Sequence, residues 1–259
     1  MKSARLVLHQ FKYDIRTYIR EPTAVFFTGL LPLMFLVLFV GVFGNQDIPV
    51  GHGRHVPGST YFVPSILGLA IISATAVNLA ISVSVARERG TLKRLRATPL
   101  PPWVFFAARV ITQVIVVTVI AAIVILFGRV AYNVALPASA WPALLVTLAV
   151  GIASFCCVGF AMTLLIRSED AAPAVANAIT LPLNFMSGVF FPRGSIPHWM
   201  NQLASVFPVK HLVDALFAAF DPTTTGSRFS GTDLLILGAW GVGSLIVAAR
   251  FFRWTPNNR

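Results

Sequence analysis

Residues 87–99 read RERGTLKRLRATP, the densest run of charge in a chain that is otherwise mostly apolar. Long apolar segments flank this run on both sides, and charged side chains are costly within a bilayer, so the run must lie outside the hydrocarbon core. Five of its residues are Lys or Arg. Short loops rich in these residues face the cytoplasm in membrane proteins. The run therefore predicts a cytoplasmic connection between two spans of a multi-pass membrane protein.

The same run has the features of a short helix. Leu92 and Leu95 are three residues apart, which places them on one helical face. Pro99, Pro101 and Pro102 then forbid continuation of the helix. Two interpretations remain open from these residues alone. The segment is either a helix that another protein binds, or an ordinary basic loop that only sets the orientation of the chain.

The composition is that of an integral membrane protein. Of 259 residues, 56% are hydrophobic, and the mean hydropathy is +0.78. Several apolar runs reach about 20 residues, the length that a helix needs to cross a hydrocarbon core about 30 Å thick. These runs and their short connections leave no room for a soluble catalytic domain. We therefore interpret residues 1–259 as one membrane domain.

The apolar runs predict six membrane spans and two further helical segments. The spans lie at 24–43, 61–85, 104–127, 141–166, 172–190 and 234–252. Residues 1–22 are patterned as an amphipathic helix in the membrane interface, with basic residues opposite apolar ones. Residues 191–231 hold two apolar pieces that are too short to cross, which predicts an extracytoplasmic re-entrant hairpin between spans five and six. The predicted fold class is an all-α membrane protein.

The basic residues are distributed unevenly about these spans. Of the twenty Lys and Arg, fourteen fall on the side of residues 87–99, five on the other side, and Arg109 within the third span. This asymmetry predicts that both termini are cytoplasmic. We expect this multi-pass chain to lie in the cell (inner) membrane. Because the basic residues flank apolar runs, the net charge of +11 indicates contacts with membrane lipids and not with nucleic acid. Arg109 either extends to the interface or pairs inside the protein.

Sequence motifs for catalysis or cofactor binding are missing from the chain. It contains no Gly-x-x-x-x-Gly-Lys phosphate loop, no His-Glu-x-x-His and no Gly-x-Ser-x-Gly. None of the nine acidic residues forms a close pair deep in a span, as a proton-driven transporter would need. His52 and His55 lack a third metal ligand, and Cys156 and Cys157 fit packing residues of a span. We predict no metal site, no cofactor bound by this chain and no enzymatic activity of its own.

Polar residues recur on one face of two predicted spans. Asn78 lies on such a face in the second span, and Asn177, Thr180 and Asn184 follow each other at three- and four-residue steps in the fifth. A polar stripe is costly when it faces lipid, so it must face other helices or a hydrated path. Both of these interpretations stay open at this point.

Two sequence patterns resemble those of one transporter family. Glu88-Arg89-Gly90-Thr91-Leu92, followed by Leu95 and Pro99 between two spans, resembles the signature of the ABC type-2 permease family. Residues 187–192 (SGVFFP), with prolines at 197 and 208 and the sequence DAL at 214–216, resemble that family's exit from the fifth span and its extracytoplasmic helices. The resemblance covers essentially the full chain.

The resemblance implies the membrane subunit of an ATP-driven exporter, most similar to the bacterial branch that exports drugs, lipids and polysaccharides. A full transporter would contain two permeases, as two copies of this chain or with a paralogue, and two ABC ATP-binding subunits that carry the ATP and Mg²⁺. A coupling helix at 86–103 would dock on the ATPase, with charged contacts from Glu88 and Arg94 and apolar ones from Leu92 and Leu95. The residues assigned to this docking are Glu88, Gly90, Thr91, Leu92, Arg94 and Leu95. The residues assigned to the translocation path are Asn78, Asn177, Thr180 and Asn184.

One alternative from a different functional class remains. In that reading the chain is a membrane-embedded enzyme or an assembly scaffold that works through the hairpin at 191–231. It would need a cluster of carboxylates or histidines near one membrane interface. A passive channel is a third reading, but a channel would need no coupling helix. The sequence also leaves open whether a transported substrate would be drug-like, a lipid or a glycan-lipid.

Overall fold

The fold is helical with one small β-hairpin. The computed structural model describes residues 2–43, 46–51, 54–97, 101–134, 138–192, 196–221 and 228–252. In chain order the helices are α1 (Lys2–Arg20), α2 (Pro22–Val25), α3 (Leu31–Phe43), α4 (Gly58–Ile72), α5 (Asn78–Glu88), α6 (Thr91–Arg96), α7 (Pro102–Tyr132), α8 (Trp141–Met162), α9 (Ala172–Met186), α10 (His198–Ala204), α11 (Pro208–Phe220) and α12 (Gly231–Phe251). Short π-helical segments join α2 to α3 at Phe26–Leu30 and α4 to α5 at Ser73–Val77, and the 3₁₀ turn Ala138–Ala140 precedes α8.

Five helical stretches of the described residues are long and apolar enough to cross a membrane. They are Phe26–Phe43, Gly58–Glu88, Trp103–Tyr132, Trp141–Met162 and Gly231–Phe251. These stretches coincide with five of the six predicted spans, so a multi-pass helical membrane fold is confirmed. A sixth crossing is counted only if α10 and α11 together form one bent span.

The fifth predicted span, 172–190, differs from the prediction in length. Its helix α9 has 15 residues, about 22 Å at 1.5 Å per residue, which is shorter than a hydrocarbon core of about 30 Å. The helix ends because Gly188 adopts a left-handed conformation with φ 82°, which glycine reaches at little cost. The Tyr61 hydroxyl donates to the carbonyl oxygen of Gly188 at 2.7 Å and that of Phe191 at 3.1 Å, which holds the turn against α4.

The segment predicted as a hairpin, 191–231, contains two helices joined at a bend of 98°. Most residues of α11 are buried, because this helix packs between α4, α8 and α12 and is not laid over the surface. The first helix, α10, has 7 residues, which is too short to cross a membrane. Residues 193–195 and 222–227 of the predicted segment lie outside the described residues.

The described residues are helical apart from two short strands, which the all-α prediction did not include. Strands β1 (Asp47–Gly51) and β2 (Arg54–Pro57) pair antiparallel, with Asp47 opposite Pro57. Ile48 and Val56 are directly opposite each other and both are buried, so the hairpin has an apolar face that packs near the start of α4. Of the two histidines considered as metal ligands, His52 lies outside the described residues and His55 is exposed on β2.

The second span, which runs through α4 and α5, forms the core of the helical bundle. Every residue of α4 is buried. The fourth span approaches it closely, because a Cβ atom at Gly159 of α8 would stand 2.9 Å from the carbonyl oxygen of Ala76. At the other end, aromatic rings of α3 and α4 stack, with the ring centroids of Phe39 and Phe62 5.1 Å apart. The other helices therefore pack around this span.

Helix α1 lies along the first turns of α7. Its Asp14 Oδ2 is 3.6 Å from Arg109 Nε, and Gln10 Nε2 donates to Asp14 Oδ1 at 3.2 Å. The Arg109 guanidinium also stands 5.4 Å from the centroid of the Phe105 ring. Arg109 therefore pairs inside the protein, which decides between the two interpretations left open by the sequence. Burial raises the pKa of Asp14, against the lowering effects of the Arg109 charge and the Gln10 hydrogen bond.

Candidate coupling site

Several connections meet around α6 at one end of the bundle. Arg87, at the end of α5, donates from Nη1 to the carbonyl oxygen of Thr163 at 3.0 Å and from Nη2 to that of Ile166 at 2.5 Å, just beyond the end of α8. Near the start of α7, the ring of Phe106 lies 5.2 Å from that of Phe252, which follows α12. The end of α5 thus meets the residues that follow α8, and the start of α7 meets the residue that follows α12.

The reversal between α5 and α6 depends on Gly90. This residue has φ 70° and ψ 8°, a left-handed conformation that costs other residues about 1–2 kcal/mol. Its carbonyl oxygen accepts the amide of Arg94 at 3.0 Å, which closes the first turn of α6. Helix α6 ends at Arg96, with Ala97 as its C-cap, and residues 98–100, with the predicted terminator Pro99, lie outside the described residues. A short helix therefore forms at the predicted place.

Helix α6 has one side packed on the bundle and one side turned outward. Leu92 has 0% of its surface exposed, and Leu95 is half-buried against the same core. Thr91, Lys93 and Arg94 are exposed. Leu92 contacts its own chain in this structure, and its predicted apolar contact with a partner stays a prediction. The outward side offers Thr91 and Arg94 of the predicted residues, and Lys93 in addition.

Glu88 and Arg87 form an ion pair beside this helix. Glu88 Oε1 is 3.5 Å from Arg87 Nε, and the two side chains are 12% and 2% exposed. Glu88 therefore has little surface left for the predicted charged contact with a partner. Arg87 was counted in the sequence only as an orientation charge, although its bonds to the carbonyl oxygens beyond α8 satisfy the end of that helix. Its place as the first cation after an apolar span was the available signal.

A second, exposed ion pair joins the same two connections. Arg89 Nε donates to Glu169 Oε2 at 2.9 Å. Glu169 belongs to the connection between α8 and α9, so the end of α5 is tied to that connection at two points of very different burial. Water screens the exposed pair, so most of the attachment comes from the buried Arg87.

The residues predicted to line a path fall into three different environments. Asn78 Oδ1 accepts a hydrogen bond from Gln113 Nε2 of α7 at 3.0 Å, so it links two helices. Thr180 and Asn184 are buried on the side of α9 that carries the contacts with the bundle. Asn177 is exposed on the other side of α9 and donates to the carbonyl oxygen of Pro173 at 2.9 Å. The predicted single stripe is therefore divided.

The second and fifth spans nevertheless pack against each other, as α9 contacts both α5 and the segment Ser73–Val77. Among the described residues, Asn184 Oδ1 and Gln113 Oε1 are buried without a hydrogen-bond partner. An unpaired buried polar atom costs about 1–3 kcal/mol. Gln113 was missed by the sequence analysis, although a glutamine in an apolar span was a visible signal.

A histidine network at the opposite end bears on the alternative enzymatic reading. His211 Nδ1 is 2.6 Å from Asp233 Oδ1, and its Nε2 is 2.8 Å from the carbonyl oxygen of Ser205. Ser230 donates to the other carboxylate oxygen of Asp233. Both ring nitrogens are occupied by neighbours, so this network joins α10 and α11 to α12 and leaves no nitrogen for acid–base work. Among the described residues no group of three His, Cys, Asp or Glu could hold a metal ion.

Comparison with known proteins finds a transporter family and relatives that are named as transport permeases. The family model described as "ABC-2 type transporter" matches residues 6–220. The "Probable multidrug ABC transporter permease YbhR" of Escherichia coli K12 is 30% identical over 158 residues, which are 60% of this chain and 42% of that protein. The "Inner membrane transport permease YhhJ" of the same strain is 25% identical over 170 residues, 65% of this chain and 45% of that protein. The "Inner membrane transport permease YadH" is 20% identical over 193 residues, 73% of each chain. The matched segment thus spans less than half of YbhR and of YhhJ.

Proposed function

We propose that this chain, which belongs to the ABC-2 type transporter family, is the permease subunit of an ATP-driven exporter in the cell (inner) membrane. In this proposal a separate ABC ATP-binding subunit carries the ATP and Mg²⁺, and a second permease, either a copy of this chain or a paralogue, completes the membrane part. The substrate class is drug-like, lipid or glycan-lipid. The multidrug name of the relative YbhR supports the first of these.

The observation that carries the proposal is the two-sided packing of α6. Its apolar side is anchored in the bundle through Leu92, and its outer side presents Lys93 and Arg94 at the end where several helices meet. A helix held this firmly moves together with the helices beneath it. A partner that binds the outer side would therefore displace the bundle end and not only a loop.

Arg87 gives this displacement a route to the fifth span. Its guanidinium connects the end of α5 to the carbonyl oxygens of Thr163 and Ile166, and the chain continues from there into α9. If ATP binding by the partner favours one position of α6, the same free energy favours one arrangement of α8 and α9. Thr180 and Asn184 on the packed side of α9, together with Asn78, would then be exposed to the substrate when the second and fifth spans separate.

The orientation of the chain is also part of the proposal. We place α6 and both termini in the cytoplasm, α1 in the cytoplasmic membrane interface, and α10, α11 and the β-hairpin toward the other side. The fourteen-to-five division of Lys and Arg supports this placement. In this orientation α10 and α11 would close the outer end of the path.

A co-purification experiment tests the docking surface. We expect a soluble ATPase that contains a phosphate loop to co-purify with the chain from its native membrane. Arg94→Glu should reduce the bound ATPase at least about tenfold, because a reversed charge at an interface repels a complementary surface. Arg129→Glu is the matched control, since Arg129 is an exposed arginine in the last turn of α7 at the far end of the bundle.

The measurement is the ATPase activity retained per permease, with the melting temperature of each variant recorded. The proposal requires a loss for Arg94→Glu alone, at an unchanged melting temperature. Equal retention by both variants would show that the outer side of α6 is not the docking surface. Absence of any ATPase from the wild-type preparation would contradict the permease assignment itself.

A further inference from the structure

An apolar groove runs between α1 and the start of α7. It is lined by Val7, Leu8, Phe11, Trp103, Ala107 and Ile111. The groove opens outward, because Leu8 is 66% and Trp103 52% exposed. Exposed apolar side chains beside a membrane span are covered by lipid and not by water, so a hydrocarbon chain is the natural occupant of such a groove.

Positive side chains stand on the rim of this groove. Arg5 precedes Leu8 by three residues and Lys12 follows it by four, so both lie within about 60° of Leu8 around the helix, at the edge of the apolar face of α1. Arg5 and Lys12 are both exposed. The only acidic residue of α1 is Asp14, and its carboxylate is 7% exposed and directed to Arg109. The rim therefore presents two cations without a nearby carboxylate from the same helix.

We propose that the groove and its rim bind one anionic phospholipid, with an acyl chain along the groove and the phosphate between Arg5 and Lys12. An anionic headgroup satisfies both cations, whereas a zwitterionic headgroup brings its own ammonium group toward them. Basic pockets beside membrane helices on the cytoplasmic side recognise anionic headgroups in this way. The inference rests on the proposed position of α1 in the membrane interface.

The proposed lipid site lies close to α6 along the chain. Trp103 and Ala107 belong to the first turns of α7, and α7 begins shortly after α6 ends. The Asp14–Arg109 pair fastens the same part of α7 to α1. A lipid seated in the groove would therefore fix α1 against α7 and make the position of α6 sensitive to the content of anionic lipid in the membrane.

Trp103 provides a direct reporter, since it lines the groove. A variant in which Trp141, Trp199, Trp240 and Trp254 are replaced by Phe retains it as the only tryptophan. The protein is placed in phosphatidylcholine bilayers that contain the same small fraction of brominated phosphatidylglycerol or of brominated phosphatidylcholine. We expect the brominated anionic lipid to quench Trp103 at least about twice as strongly, because quenching requires contact with the brominated chain.

Variants of the rim distinguish a specific binding site for an anionic phospholipid from a general attraction of anionic lipid to the basic protein. Arg5→Gln with Lys12→Gln should remove the preference for the anionic lipid. Arg20→Gln should keep it, because Arg20 lies about 120° around the helix from Leu8. Ala107→Leu fills the groove without changing a charge, and it should reduce the phosphatidylglycerol that remains bound in native mass spectrometry.

Three results would overturn the inference. Equal quenching of Trp103 by both brominated lipids excludes a charge-selective site. If the stronger quenching by the anionic lipid survives the changes at Arg5 and Lys12, these two residues do not bind the headgroup. The same preference in a variant that retains only Trp141, which is exposed at the start of α8, shows a general enrichment of anionic lipid. Since no ATPase takes part in the measurement, its outcome is independent of the co-purification test.

Discussion

At the scale of single residues, the burial of each arginine beside α6, and not its charge, decides whether it contributes to the stability of the fold. Arg87 and Arg89 are two residues apart, yet the Arg87 side chain is 2% exposed and Arg89 extends into solvent toward Glu169. A buried guanidinium is stable only when its hydrogen bonds are made, and here two carbonyl oxygens accept them. Arg87 is thus a structural connection, whereas Arg89 is an exposed charge.

The two arginines therefore make a matched pair for a stability test. Arg87→Gln should lower the free energy of unfolding by about 2–4 kcal/mol, because it removes charged hydrogen bonds and leaves buried carbonyl oxygens without partners. Arg89→Gln should change it by less than about 1 kcal/mol, as exposed ion pairs contribute little. Thermal unfolding in one detergent measures both. Equal losses would mean that the Arg87 contacts do not hold the end of α8.

At the scale of elements, small residues set the distances between helices. The Cβ of a residue larger than glycine at position 159 would meet backbone atoms of Ala76, and at position 241 of α12 it would meet Ser154 of α8. Ser154 donates to the carbonyl oxygen of Leu237 at 2.8 Å. Helices in membranes associate through such close approaches. Their apolar surface is covered equally well by lipid, so the hydrophobic effect does not favour contact with another helix. The contacts of α8 with the second span and with α12 therefore depend on these positions.

Substitution of one glycine on α8 and one on α12 tests this view of the helix contacts. Gly159→Ala should destabilise the protein by about 1–3 kcal/mol, because the new methyl group stands 2.9 Å from a backbone oxygen and the helices must separate. Gly243→Ala is the control, since nothing lies within 4 Å of its Cβ position. That change should be neutral or stabilising by up to about 1 kcal/mol. A destabilisation by both changes in one unfolding assay would instead indicate a general intolerance of side chains at helix glycines.

At the scale of the whole molecule, the two ends of the bundle differ in chemistry. One end carries α6, with Lys93 and Arg94 exposed, and the other end carries the β-hairpin and the junction of α11 with α12. The proposed docking of an ATPase on α6 requires the first end to face the cytoplasm. Moving the charged side chains of α6 through the hydrocarbon core would be costly, and this cost keeps the chain from turning over once it is inserted.

Cysteine labelling in intact cells tests this orientation. In a chain with Cys156→Ala and Cys157→Ala, a membrane-impermeant maleimide should label His55→Cys on the β-hairpin and should not label Thr91→Cys until the membrane is permeabilised. Both positions are exposed in the structure, so access depends on the side of the membrane alone. Labelling of Thr91→Cys in intact cells would reverse the orientation and, with it, the assignment of α6 as an ATPase-docking helix.

The sequence alone determined five of the membrane-spanning helices and the place of α6, because both follow from local constraints. A run of about 20 apolar residues must be helical in hydrocarbon whatever lies beside it. The charged residues 87–97 cannot remain in hydrocarbon, and they stand between two such runs. The family signature lies in this same stretch, so the fold class and the family were recognisable before any contact was known.

Only the tertiary structure decided which side of each helix is used and where α9 ends. Leu92 and Arg94 are two residues apart on α6, and the contact with the bundle buries the first and leaves the second outside. Helix α9 stops at Met186 because Tyr61, more than a hundred residues away, holds the turn at Gly188. Thr180 is buried and Asn177 is exposed, because only one side of α9 packs on the bundle. Burial of a side chain depends on neighbours that are distant in sequence, and no local pattern contains them.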